Sequence, residues 1–121
     1  MANDFKRFTV SSATTSTAAS GDALYSCPAG AGSSALESIV IGITLSNKTT
    51  TGVTADIYLD GYDGTDTYIV KSATIPAGSA LEVMSGNKIV LQNSGSAGDV
   101  IRVTCGTGSA LDATLSVLED V

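Results

Sequence analysis

The chain has no histidine and no tryptophan, and only two cysteines and two prolines among its 121 residues. Without histidine, Ser-His-Asp and Cys-His nucleophilic systems are excluded in their usual forms. Zinc is short of ligands too, because Cys27 and Cys105 are distant and form no CxxC pair. Charged residues make up 15% of the chain, against roughly 25% in ordinary globular domains. Six basic residues face twelve acidic ones, and only Lys6 and Arg7 are adjacent. Clustered cations are what neutralise phosphates, so neither nucleic acid nor an anionic membrane surface is an expected partner. No apolar run approaches the roughly 20 residues that span a bilayer. The opening "MANDFKRFTV" lacks an apolar signal core, which implies synthesis in a cytoplasm and reduced thiols there.

What remains is rich in Ser, Thr, Gly and Ala, with 43% hydrophobic residues and 5% aromatics. A core is therefore built from Ile, Val, Leu and Ala. A chain of this length makes one domain and buries roughly two thirds of its unfolded surface. Alternation of apolar and polar residues recurs throughout, which argues strands. In "ESIVIGITLSN" (37–47), Ile39, Ile41, Ile43 and Leu45 share one face. Ser38, Val40, Gly42 and Thr44 share the other. In "VTADIYLD" (53–60), Val53, Ala55, Ile57 and Leu59 point inward and Tyr58 outward. In "ALDATLSVLED" (110–120), Leu111, Ala113, Leu115 and Val117 alternate with Asp112, Thr114, Ser116 and Leu118. Further strands read at 23–27, 67–75, 79–84, 88–92 and 99–105. "IPAGSALEVMSGNKIVLQ" (75–92) reads as a hairpin, with Ser85, Gly86 and Asn87 supplying the turn.

No segment shows a 3.6-residue period with caps. About eight or nine short strands separated by turn signals predict an all-β, single-domain antiparallel sandwich, jelly-roll-like in type. Residues 21–121 form that sandwich. Residues 1–20 read as an extended N-terminal arm with a possible edge strand at 5–10. As an arm, residues 1–12 are expected to be dispensable for folding and needed for docking.

Candidate chemistry is sparse, and no catalytic residue, cofactor or firm metal site is assigned. "DGYDGTD" places Asp60, Asp63 and Asp66 at three-residue intervals. A calcium loop needs acids at alternate positions and a glutamate at its twelfth; Tyr62 and Lys71 stand there instead. The plainer reading is a hairpin loop using Asp and Gly for turn geometry. Glu37 with Glu82, or Asp112 with Glu119, resemble glycosidase pairs only in being pairs; the plainer reading is solvated strand faces. Cys27 and Cys105 read as small core residues. Tyr58, Tyr62, Val40 and Leu118 fall on outward faces or a loop tip. With Phe5 and Phe8 of the arm they form the candidate interface set.

The ordered segments "DFKRFT", "LYSCPA", "IVIGITLSN", "YIVK", "IPAGSALEVMSGNKIVLQ", "GDVIRVTC" and "ALDATLSVLED" resemble a family of small virion structural proteins of marine tailed phages, including cyanophages. The resemblance covers most of the chain and is most specific at "IPAGSALEVMSGNKIVL" and "ALDATLSVLE". Cys27 and the "NSGSAG" connection depart from the pattern. The resemblance implies a non-enzymatic virion protein, made in the host cytoplasm. It would act as a homo-oligomer on the major capsid protein or on neck or tail proteins. Capsid decoration or cement is the leading expectation, because the chain is small, acidic and self-contained. A neck, collar or fibre-attachment role is the alternative. A carbohydrate- or cell-surface-binding module is a second alternative, resting on the outward Thr/Ser rows and the 60–66 loop.

Overall fold

The alternating runs become strands that pair end against end. The computed structural model describes residues 3–84 and 87–120. Its strands are β1 (Asn3–Val10), β2 (Asp22–Ser26), β3 (Leu36–Asn47), β4 (Val53–Asp60), β5 (Asp66–Ile75), β6 (Ala80–Glu82), β7 (Ile89–Asn93), β8 (Val100–Cys105) and β9 (Leu111–Asp120). One sheet runs β1-β9-β3, with β6 and β7 both on the free side of β3; the other runs β2-β8-β4-β5. All pairings are antiparallel. β1 therefore pairs with the last strand, β2 with the next to last, β3 with β6 and β7, and β4 with β5. A long ribbon rolled up in this way is a jelly roll.

The two inner faces meet in an aliphatic core. Ile43, Leu45, Ile57, Ile101, Leu115 and Val117 are fully buried. Each such side chain contributes about 1.5–3 kcal/mol by leaving water. The inward sets expected on β4 and β9 are buried, except that Leu59 is only half-buried.

Three differences from the sequence pattern have local causes. The first is a bulge in β3. Its pairing with β9 steps from Val40↔Val117 to Gly42↔Ser116, which leaves Ile41 unpaired. An extra residue reverses which side chains face inward beyond it. Leu36, Ser38 and Val40 point into the core before the bulge; Ile43, Leu45 and Asn47 do so after it. Val40 is thus fully buried and not an outward interface residue. Ile39 and Ile41 look outward instead.

The second concerns the expected hairpin at 75–92. β6 pairs Thr44 to Ser46 of β3, and β7 pairs Leu36 to Val40. The two lie end to end along one neighbour, as a single interrupted edge strand. Ser85 and Gly86 of the expected turn lie outside the described residues.

The third is the N-terminal segment. β1 takes the edge-strand option, with eight residues in register against β9. Residues 11–21 then cross from one sheet to the other. The Ala13 N–H donates to the Leu111 carbonyl at 2.8 Å, and the Cys105 N–H donates to the Thr14 carbonyl at 2.9 Å. Ala13 and Ala18 are buried along the way. Residues 3–20 are therefore woven into the sandwich. Removing residues 3–12 would uncover the β9 edge and take Phe8 off Tyr25.

Asn47, at the end of β3, is a buried polar knot. Its Nδ2 donates to the carbonyls of Thr51 (2.8 Å) and Ile75 (3.0 Å), and its Oδ1 accepts from the Thr49 N–H (2.9 Å) and hydroxyl (2.7 Å). Asn47→Ala leaves these groups unpaired at a buried site. It is expected to cost about 2–3 kcal/mol, read as a lower urea midpoint at unchanged slope.

Candidate functional site

The outward positions that the β3 bulge sets up do not stand alone. Phe5 of β1 is directly opposite Leu118 of β9. Leu118 is opposite Ile39 of β3, and Ile39 is opposite Val90 of β7. These four side chains form one straight row across the outer face of the β1-β9-β3-β7 sheet. Phe5 is 76% exposed and Val90 57%, while Leu118 and Ile39 between them are half-buried. Ile41, at the bulge, adds a fifth apolar side chain, 38% exposed. The next positions on either side are polar: Arg7 opposite Ser116, and Glu37 opposite Gln92. The result is an apolar stripe with a polar rim, the anatomy of a recognition surface.

The stripe continues past the sheet edge. Val90 and Tyr62 line the same shallow hollow of about 240 Å³, together with Leu59 and Gln92. Asp99 holds this corner. Its Oδ1 accepts the Tyr62 N–H at 3.0 Å and its Oδ2 the Gln92 N–H at 2.9 Å. The β4–β5 loop is thereby fixed against β7, with Tyr62 exposed at its tip.

Beneath the Phe5 end of the row lies a buried polar chain. The Tyr25 hydroxyl donates to Glu119 Oε2 at 2.5 Å and lies 2.8 Å from Ser38 Oγ. Because the phenol has one proton, Ser38 donates to it. The Cys27 thiol in turn donates to Ser38 Oγ at 3.5 Å. Glu119 is 2% exposed. Its Oε1 forms an ion pair with Lys6 Nζ at 2.8 Å. The carboxylate raises the Lys6 ammonium above its ordinary pKa. Burial first, then donation to Glu119, push the Tyr25 phenol far above its ordinary range. Burial likewise raises the Cys27 thiol, which makes it a poor nucleophile. Phe8 packs on Tyr25 with ring centroids 4.8 Å apart. The inner face of β1 is thus anchored by Lys6 and Phe8, while its outer face presents Phe5.

Of the six candidate interface residues, Phe5, Leu118 and Tyr62 lie along this one band. Val40 is core, and Phe8 is half-buried against Tyr25. Tyr58 sits on the opposite sheet, edge-on to Tyr68 at 5.1 Å, with the Lys71 ammonium 4.5 Å above the Tyr68 ring. Ile39, Ile41 and Val90 were missed in the sequence. Only the cross-strand register reveals them, since each is unremarkable within its own strand.

The carboxylate candidates separate. Asp60 pairs with Arg102 at 3.0 Å, Asp63 Oδ1 accepts the Thr65 N–H at 3.0 Å, and Asp66 stands across the ladder from Asp60. Among the described residues no three acidic, cysteine or histidine side chains gather around a point. Asp112 pairs with Lys48 at 2.9 Å, which lowers its pKa. Glu119 is on the other face of β9, buried, so the reading of it as a solvated strand residue is overturned. Cys27 and Cys105 are both buried free thiols. A second shallow hollow, of about 210 Å³, is lined by the hydroxyls of Thr15, Ser16, Thr54, Ser72 and Thr104 beside Asp56.

Fold and site together define a jelly-roll β-sandwich that exposes an apolar band on one outer sheet face. No protein-family model and no curated protein matches the chain.

Proposed function

We propose that the chain is a non-enzymatic structural module of a tailed-phage particle, docking on another virion protein through the outer face of β1, β9, β3 and β7. Capsid decoration or cement, seated on the major capsid protein, is the leading role; a neck, collar or tail site is the alternative. The observation that carries the docking is the in-register row Phe5–Leu118–Ile39–Val90. Support for the viral setting comes from the sequence resemblance. The jelly roll adds an analogy, since viral capsid domains use it, as do lectins and cupins.

Covering the four side chains of the row returns on the order of 5 kcal/mol. That is comparable to the freedom lost on association. One such face binds weakly, and a firm dock requires several faces held together. A symmetric oligomer would supply them.

The test is to locate and count the protein in purified particles by imaging and quantitative mass spectrometry. A copy number that scales with shell area supports decoration, and a single ring at a vertex supports the neck or tail. Absence from particles refutes both. The hydroxyl-lined hollow at Thr54 and Thr104 favours the carbohydrate reading as a second possibility. Glycan arrays with and without Ca²⁺ separate it, because the docking reading expects no glycan signal.

A further inference from the structure

We propose that two copies of this chain pair through β1, antiparallel, about a two-fold axis at Phe5. Among the described residues β1 has a strand partner only on its β9 side. Asp4, Phe5, Lys6 and Arg7 along it are all exposed. An edge strand of this kind is a template for a further strand.

The charges on β1 select the register. Residues directly opposite in an antiparallel pair must lie on the same face of the sheet. A symmetric pair is therefore centred on one residue, with its neighbours opposed two by two. Centring on Asp4 sets acid against acid. Centring on Lys6 or Arg7 sets cation against cation. Centring on Phe8 sets Lys6 against the partner's Val10 and Arg7 against the partner's Thr9, with no charge pair. Centring on Phe5 alone sets Asp4 opposite the partner's Lys6, and does so twice by symmetry. Opposite charges across a strand pair attract and like charges repel. Edge-strand charges commonly block pairing; here they block the neighbouring charged registers and favour the one centred on Phe5.

That register also extends the apolar surface. Phe5 meets the partner's Phe5 on the outer face, so the two rows join end to end into one continuous band. The two-fold axis is perpendicular to the sheet and keeps both outer faces on the same side. Lys6 is already held in place by Glu119 at 2.8 Å. The contact is isologous, as closed dimers require. It stands independently of the virion reading, because its test needs only the purified protein.

The experiment is sedimentation velocity on the full chain over a concentration series. The wild type is expected to move toward dimer as concentration rises. Asp4→Lys, at an exposed site, sets like charges against each other twice and is expected to weaken the dimer about tenfold or more. The exchange Asp4→Lys with Lys6→Asp restores opposite charges and is expected to restore the dimer. It also keeps a cation beside Glu119, since position 4 is opposite Glu119 in the ladder. Should the double variant misfold, a second readout decides. Phe5→Cys is expected to link to its partner through a short bis-maleimide, and Thr9→Cys is not. A monomer at all concentrations, a dimer indifferent to Asp4→Lys, or equal linking at positions 5 and 9 would overturn the proposal.

Discussion

On the proposed docking, a Leu118→Arg chain is expected to fold normally and to be missing from particles. Leu118 is the centre of the outer row, flanked by Phe5 on one side and Ile39 on the other. It faces away from the core, opposite in orientation to the buried Val117 beside it. An arginine there lays its methylenes along Ile39 and keeps its guanidinium in water. Folding stability should therefore change by no more than about 1 kcal/mol, and the urea midpoint checks this. Docking is different, because the partner would have to bury an unpaired cation in an apolar seam. A penalty of several kcal/mol corresponds to a loss of about a hundredfold or more in affinity. Particles assembled with the variant, compared by quantitative mass spectrometry, should hold almost none of it. Thr114→Arg is the control: the same strand and the same face, two rows away from the stripe, with incorporation expected as in the wild type. Incorporation of Leu118→Arg at the wild-type level would remove the row from the docking surface.

Much of the fold is written in short-range alternation, and that part was legible. The strand positions, the sandwich class and the inward sets of β4 and β9 follow from a period of two, which is local. What stayed hidden depends on pairing. The bulge at Ile41 leaves no mark in "SIVIGIT", because isoleucine and valine are equally good strand residues on either side of it. The exchange of Val40 for Ile39 as the outward residue could be read only after β9 was laid alongside. The break between β6 and β7 looked like a turn for the same reason: both segments find their partner in β3, not in each other. The apolar row is hidden more deeply, since its members come from four strands and no single strand carries more than one of the four. Glu119 is the most instructive case. Near the end of a strand rich in small polar residues it reads as a solvated acid. Inside the sandwich the Tyr25 hydroxyl donates to it from β2 and Lys6 pairs with it from β1, while Ser38 stands opposite it on β3.

That convergence makes Glu119 the most consequential polar residue in the sandwich. Glu119→Ala removes the acceptor of the Tyr25 hydroxyl, opens a void beside Val117 and leaves Lys6 without its counterion. The expected loss is roughly 2–4 kcal/mol at neutral pH, measured by urea unfolding. Glu119→Gln keeps the shape and an acceptor for Tyr25 but drops the charge, and is expected to cost about half as much. The pH dependence separates the electrostatic part from the packing part. Lys6 and Tyr25 both have folded-state pKa values above their unfolded values of 10.5 and 10.0. A raised pKa gives stability that is complete below the unfolded value and is lost as pH rises through the folded one. Wild-type stability is therefore expected to hold through neutral pH and to fall as pH climbs past about 10. In Glu119→Ala the Lys6 share of that alkaline loss disappears, because its cause is the carboxylate. The Tyr25 share largely persists, because its first cause is burial. The variant should thus be weaker at pH 8 yet decline less steeply between pH 8 and 11. An unchanged slope would mean that Lys6 is not held by Glu119 in solution. The inner face of β1 would then rest on Phe8 against Tyr25, and the strand that presents Phe5 would be less firmly fixed than the ion pair makes it.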